Sequence, residues 1–176
     1  MRNMVLLIDT NILLNYITNR PDPYLEQSVE IVRKCANGEC TGYIAFHTLS
    51  TLWYVLRKRN DKVRRENLKD ICEIFTVATA SQMEILDAIE KDSFEDFEDC
   101  LQDKCAKDVG ADYIITCNTK DFVNSEIPAI TPDEYIKTFC WSVIVKVVVG
   151  CGLINIKISQ LAPNMYCNIQ GSHIFT

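Results

Sequence analysis

The chain holds no apolar run long enough to cross a bilayer, and its nearest approach in the tail, VIVKVVV at residues 143–149, is far too short. The apolar N-terminus is interrupted by Asp9 and Asn11 and is followed by no small-residue cleavage site, so a secretion signal is not expected. Cysteine is plentiful, at nine residues, yet there is no CxxC pair and no Cys/His spacing of the zinc-finger kind. Cys35, Cys72, Cys100 and Cys105 lie in helix-like stretches and Cys117 in a strand-like one, where cysteine acts as a small buried hydrophobe. A reduced, cytoplasmic protein without a membrane segment is the expectation. A global excess of basic charge is also missing, since the net charge is −6. Acids are absent altogether from residues 140–176, which carry two lysines, while all 24 acids fall in residues 1–139.

What is present is unevenly placed. RKRNDKVRR, residues 57–65, carries six basic side chains and one acid, whereas residues 84–103 carry nine acids and one lysine. At 176 residues the chain is long enough for one domain with a proper core and too short for two large ones. Met4–Ile8 is apolar and branched, the pattern of a buried strand, and Asp9 stands directly behind it. A carboxylate at the end of a buried strand is costly unless something pairs with it.

Strands and helices then alternate. Helices are predicted over 24–37 (apolar positions Leu25, Val29, Val32 and Cys35 or Ala36, closed by Gly38), 48–58, 62–75, 82–91 and 95–109. Strands are predicted at 42–46, 75–79, 113–117 and 129–131, and Thr131-Pro132-Asp133-Glu134 opens a final helix. Ser81 and Glu84 form a capping box. This order implies an α/β layered domain with a largely parallel sheet, whose function gathers at the carboxyl ends of the strands. Asp9 and Asn118, with Asp121 shortly after, fall at such ends. Oxygen ligands meeting there suit a hard cation such as Mg²⁺, around which carboxylates that repel one another become compatible. The candidates are Asp9, Asp99 and Asp121, with Asp96 one helical turn before Asp99 as a further one.

The segments LLIDTNILL, FEDFEDCLQDKCAKDVGADYIITCNTKDF and IPAITPDEYIKTF resemble the PIN domain, and more narrowly the small stand-alone bacterial PIN proteins related to VapC toxins. The resemblance covers residues 3–139. It rests on the opening D-T-N, on Asp99 placed before Ala106, and on the T-x-N-x-x-D-F at 116–122. It implies a three-layer fold with a mostly parallel central sheet flanked by helices, in a domain over 1–139, and a divalent-metal-dependent ribonuclease. In that reading Asp9, Asp99 and Asp121 hold one or two Mg²⁺ or Mn²⁺ ions, and Asn11 and Thr116 support them. Asn118 falls where many relatives carry another aspartate, and Thr51 where most PIN nucleases carry an acid. The resemblance further implies an RNA substrate, a homodimer, and an antitoxin that blocks the acidic cleft.

Arg57, Lys58, Arg59, Lys62, Arg64 and Arg65 are candidates for phosphate contact. Trp53 and Tyr54 read as core or dimer contacts, and His47 as structural. The neutral Thr51 and Asn118 support a reading of another class, a PIN-fold module with weakened catalysis that binds RNA or a partner protein. An aspartyl phosphotransfer enzyme would need a D-x-D opening, which DTN matches poorly. The tail, residues 140–176, is β-rich and lies beyond the resemblance. As an extra strand or hairpin, a partner-binding arm, or sequence never selected to fold, it has no functional reading.

Overall fold

A computed structural model describes residues 2–90, 94–139, 142–149 and 152–159. In chain order the elements are β1 Val5–Ile8, α1 Thr10–Thr18, α2 Leu25–Ala36, β2 Thr41–Ala45, α3 Thr48–Val55, α4 Asp61–Ile74, β3 Thr76–Ala78, α5 Gln82–Glu90, α6 Phe97–Asp108, β4 Tyr113–Ile115, β5 Ala129–Ile130, α7 Pro132–Phe139, β6 Ser142–Val149 and β7 Gly152–Ser159. Short 3-10 turns cover Leu56–Lys58 and Thr119–Phe122. The chain divides into two compact units, one running to Asp133 and one from Glu134 on.

In the first unit five parallel strands form one sheet in the order β3-β2-β1-β4-β5. β1 is central because it is the most apolar strand: Leu6, Leu7 and Ile8 are fully buried, as are Ile44 of β2 and Ile114 and Ile115 of β4. Burial of each such side chain contributes about 1.5–3 kcal/mol. From β1 the chain builds outward through β2 to β3, then crosses over to place β4 on the other side of β1. The crevice beyond the carboxyl ends of β1 and β4 is therefore the topological switch point of the sheet, where ligands bind in folds of this kind. Ile8 is paired with Ile115, so Asp9 and Thr116 emerge side by side.

Two helices, α2 and α6, close with glycines in left-handed backbone. Gly38 (φ 71°) and Gly110 (φ 61°) each follow a helix. Gly38 N–H donates to Cys35 O at 3.0 Å and Glu39 N–H to Lys34 O at 2.9 Å; Gly110 N–H donates to Lys107 O at 3.0 Å and Ala111 N–H to Ala106 O at 2.9 Å. Both are Schellman ends, and the second aims the chain from α6 into β4. The Ser81–Glu84 capping box forms in both directions, at 2.7 and 3.3 Å.

Two expectations about burial change. On α2 the buried face is Ser28, Ile31, Val32 and Cys35, while Val29 is exposed. Ser28 can turn inward because its hydroxyl accepts from Asn15 Nδ2 at 3.3 Å, which satisfies the polar group and shifts the face by one residue. Cys72 is exposed on α4 and Cys117 only half-buried, unlike Cys35, Cys40, Cys100 and Cys105. The face of α4 turned to the core is Ile71, followed by Phe75 just past its end.

In the second unit β6 and β7 pair antiparallel, from Ser142 opposite Ser159 to Val149 opposite Gly152. Residues 160–176 of the tail lie outside the described residues.

Gly42 of β2 is required by close approach rather than by backbone angle. A Cβ there would lie 2.6 Å from Phe75 Cδ1 and 2.9 Å from Cys35 Sγ, both in buried side chains. Gly42→Ala is expected to destabilise the fold by about 1–3 kcal/mol through overpacking, read as a lower urea midpoint with an unchanged m-value.

Candidate active site

Asp9 occupies the N-cap position of α1 but makes no side-chain capping bond. Its carboxylate is instead held by three neutral donors from three elements. Thr116 Oγ1–H donates to Oδ2 at 2.7 Å, Asn11 Nδ2 to Oδ2 at 2.5 Å, and Gln102 Nε2 to Oδ1 at 3.0 Å. Asp9 is 7% exposed, and Thr116 and Gln102 are buried with it. Burial pushes the Asp9 carboxyl above its ordinary range, while the bonds from Thr116 and Gln102 pull against that. No cation stands among these partners.

Thr116 is the junction. Its hydroxyl oxygen also accepts from Asn11 Nδ2 at 3.2 Å and from the Asn118 N–H at 3.0 Å, and Asn11 Oδ1 accepts from the Cys117 N–H at 3.1 Å. Asn118 Nδ2 then donates to Asp121 Oδ2 at 2.6 Å. The D-T-N and T-x-N-x-x-D motifs are thus one hydrogen-bonded network across the switch point.

Beside it opens a cavity of about 620 Å³ whose wall includes Asp96, Asp99, Asn118, Lys120 and Asp121. Asp96 caps α6, accepting from the Glu98 N–H at 2.7 Å with one oxygen. Asp99 is half-buried, and its pKa is pushed up to about 7, first by burial and then by the negative charges of Asp9, Asp121, Asp96 and Glu98. Asp99 therefore lies within electrostatic reach of Asp9, Asp121 and Asp96. Among the described residues no three His, Cys, Asp or Glu side chains stand in ready-made ligating geometry.

Thr51 is not on the cavity wall; its hydroxyl turns back to the His47 carbonyl of its own helix at 3.4 Å. The residue of α3 that reaches α1 is Thr48, fully buried and bonded to Thr10 through their hydroxyls at 3.2 Å. His47 packs edge-on against Phe46, and neither ring nitrogen has a partner among the described residues. Burial lowers its pKa from the ordinary value, against the pull of Asp9 and Asp96.

Gln102 and Lys120 went unnoticed in the sequence. A polar residue one turn after Asp99, on a helix whose neighbours Leu101 and Cys105 are apolar, was the available signal for Gln102. α6 is also tied to the segment after Asp121. Asp103, fully buried, accepts from Ser125 Oγ at 2.6 Å, and Lys107 Nζ lies 3.0 Å from both Asp103 and Glu126.

The basic run lies at the other end of α3. Arg57 stacks on Tyr54 at 4.4 Å, and Arg64 and Arg65 lie over Trp53 at 3.7 and 5.3 Å. Tyr54 is 64% exposed, which removes the core half of its reading as a core or dimer contact. Arg64 pairs with Asp61 and Lys62 with Glu66, whereas no carboxylate partner is seen for Arg57, Lys58, Arg59 or Arg65 among the described residues.

The PIN domain model matches residues 5–120. The chain belongs to the PIN domain family. Ribonuclease VapC1 of Aquifex aeolicus is 25% identical over 139 residues, covering 77% of this chain and 95% of that protein. Among solved structures, VapBC2 from Rickettsia felis, bound to a DNA fragment from its promoter, superimposes with a TM-score of 0.55 at 18% identity, over 73% of this chain and 98% of that one. Mycobacterium tuberculosis VapC20, a sarcin–ricin loop cleaving toxin, gives 0.54 at 16% identity, over 69% and 95%. A toxin–antitoxin complex from Klebsiella pneumoniae gives 0.55 at 19%, over 72% and 97%. These structures share the fold, a parallel sheet flanked by helices, and the PIN motifs here converge at its switch point.

The raised pKa of Asp99 makes a prediction for the metal-free protein. An acid that holds its proton more tightly when folded stabilises the fold below its ordinary pKa of 3.8, and that contribution is lost as pH rises through about 7. Urea midpoints of wild type, without divalent metal, should fall relative to those of Asp99→Asn over that window. Parallel pH profiles for the two proteins would contradict this placement of Asp99.

Proposed function

We propose that this PIN protein is a metal-dependent endoribonuclease of the toxin type, hydrolysing RNA phosphodiesters. The observation that carries the reading is Asp9 buried at the switch point on neutral donors alone, with Asp99 within reach of its charge and Asp121 and Asp96 sharing a cavity wall with Asp99. The donor set fits a hard cation. Every candidate ligand is an oxygen, and the carboxylates repel until a positive charge arrives. The buried Gln102 Oε1 also has no donor among the described residues.

Asp9, Asp99 and Asp121 would hold Mg²⁺ or Mn²⁺, with Asp96 as a fourth oxygen donor. Thr116 and Asn11 fix the Asp9 rotamer, and Asn118 orients Asp121. Thr51 stands apart as a neutral support. A bound divalent cation supplies polarisation of the phosphodiester and a lowered pKa for the attacking water. The residues of this chain bind and aim the ion, and none is placed as a covalent nucleophile.

RNA would lie along Arg57, Lys58, Arg59 and Arg65, with Lys62 and Arg64 at the edge. α1 and α3 start together at the site through Thr10 and Thr48, and Arg59 Nη2 donates to the Ile17 carbonyl near the far end of α1 at 3.2 Å. The basic face is therefore about 12 Å along these helices from Asp9, at 1.5 Å per residue. An antitoxin covering the acidic cavity is the partner that the toxin–antitoxin relatives support. A homodimer is consistent with the exposed apolar residues Met83, Leu86 and Ile89 on α5. No helix among the described residues is long and apolar enough to cross a membrane, and we place the protein in the cytoplasm, with residues 1–139 as its catalytic domain. A second reading, a binding module with weakened catalysis, is favoured by the back-bonded Thr51 and the neutral Asn118.

Cleavage of a mixed pool of structured RNAs separates the two. Wild type is expected to cut with Mg²⁺ or Mn²⁺ and not with EDTA, and Asp9→Asn to lose at least a hundredfold in rate. Folded wild type that binds RNA but never cuts would establish the binding module instead.

The basic face carries its own expectation. Replacing Arg57, Lys58 and Arg65 by alanine should weaken RNA binding alike for all sequences and lower the slope of log K against log salt by about 2–3. An unchanged slope would remove that face from the RNA path.

A further inference from the structure

Gln102 is 3% exposed, in the middle of α6 and one turn beyond Asp99. An amide is an unusual choice there. The same helix faces the core with Cys100, Leu101, Cys105 and Ala106, and an apolar residue would fill the space without burying polar atoms. Gln102 spends only half of its amide on the protein: Nε2 donates to Asp9 Oδ1 at 3.0 Å, while Oε1 is shielded from solvent and accepts from nothing among the described residues. A buried acceptor left without a donor is costly, and its retention calls for an explanation in function.

Asp9 shows what that explanation is. Its Oδ2 already receives two side-chain donors, Thr116 and Asn11, whereas among the described residues the side-chain donor to Oδ1 is Gln102. Carboxylates that ligate metals are themselves hydrogen-bonded by neighbouring groups, which set their orientation and tune affinity. Asn11 and Thr116 belong to the strand-end motifs, but Gln102 comes from the helix that carries Asp99. It is thus the direct polar tie between the Asp9 and Asp99 sides of the site.

We propose that Gln102 is a positioning residue of the acidic site: its Nε2–H fixes Asp9 Oδ1 for the divalent cation, and its Oε1 accepts the donor that the hydrated cation brings in. This rests on the reading of the acidic site as a metal site. No contact between Gln102 and RNA is needed.

The test is Mn²⁺ binding by the full chain, without RNA, from the electron paramagnetic resonance of free Mn²⁺ and from the rise in melting temperature that Mn²⁺ produces. Wild type should bind and Asp9→Asn should not. Gln102→Met, close in shape, takes the donor from the buried Asp9 Oδ1 and should melt lower than wild type without metal, and once folded it should bind Mn²⁺ about tenfold or more weakly. Gln102→Glu should melt lower without metal, because a second carboxylate faces Asp9, and gain more than wild type when Mn²⁺ is added. If Asp9→Asn loses binding while Gln102→Met keeps wild-type affinity, Gln102 is packing only and the proposal fails alone. If wild type binds no Mn²⁺, the metal-site reading fails and takes the proposal with it. Should Gln102→Met not fold, Gln102→Glu decides: a Mn²⁺-induced rise no larger than that of wild type overturns the proposal.

Discussion

A single buried carboxylate organises this domain. Asp9 follows the most apolar strand of the sheet, at the point where strand order reverses, and burying a charge there is unfavourable unless every oxygen is satisfied. The chain meets that demand with a hydroxyl from the end of β4, an amide from the first turn of α1 and an amide from α6. Each of these donors is neutral, so the negative charge is solvated locally without being cancelled. The surroundings add further negative charge. Such an arrangement is poor as a source of stability and well suited to receiving a cation.

Much of the fold could be read from residue pattern because the pattern was locally consistent. The unbroken apolar runs VLLI and YII have no solvent face to encode, which suits strands covered on both sides. Gly38 marked a helix end, and the structure closes that end and the one at Gly110 as left-handed turns. The acids were legible in number and order, but their division of labour was not. Asp96 spends an oxygen on the N-terminus of α6, and Thr51 turns to its own backbone. Those details depend on side-chain direction, which spacing along a helix does not specify.

What escaped the sequence was polar and buried. Gln102, Ser28 and Thr48 each look like ordinary helix residues, and each is buried because a partner from a distant segment satisfies it. Periodicity ranks such residues as surface and so misplaces the face of α2. Tyr54 differs in the opposite direction: an aromatic residue suggested a core or a dimer contact, and the structure leaves it outside the core under a guanidinium.

The polar anchors around Asp103 have a mechanical meaning. Ser125 and Lys107 bind Asp103, Lys107 also reaches Glu126, and Phe122 is buried in the cluster that includes Cys105 and Ala106 of α6. The turn bearing Asp121 is therefore bolted to the helix bearing Asp99, while Asp9 belongs to the sheet. The cleft then works as a vice with two jaws. One is the sheet edge, the other is α6 with the turn fastened to it, and the anchors Asp103 and Lys107 continue, at four-residue spacing, the stripe of α6 that carries Asp99.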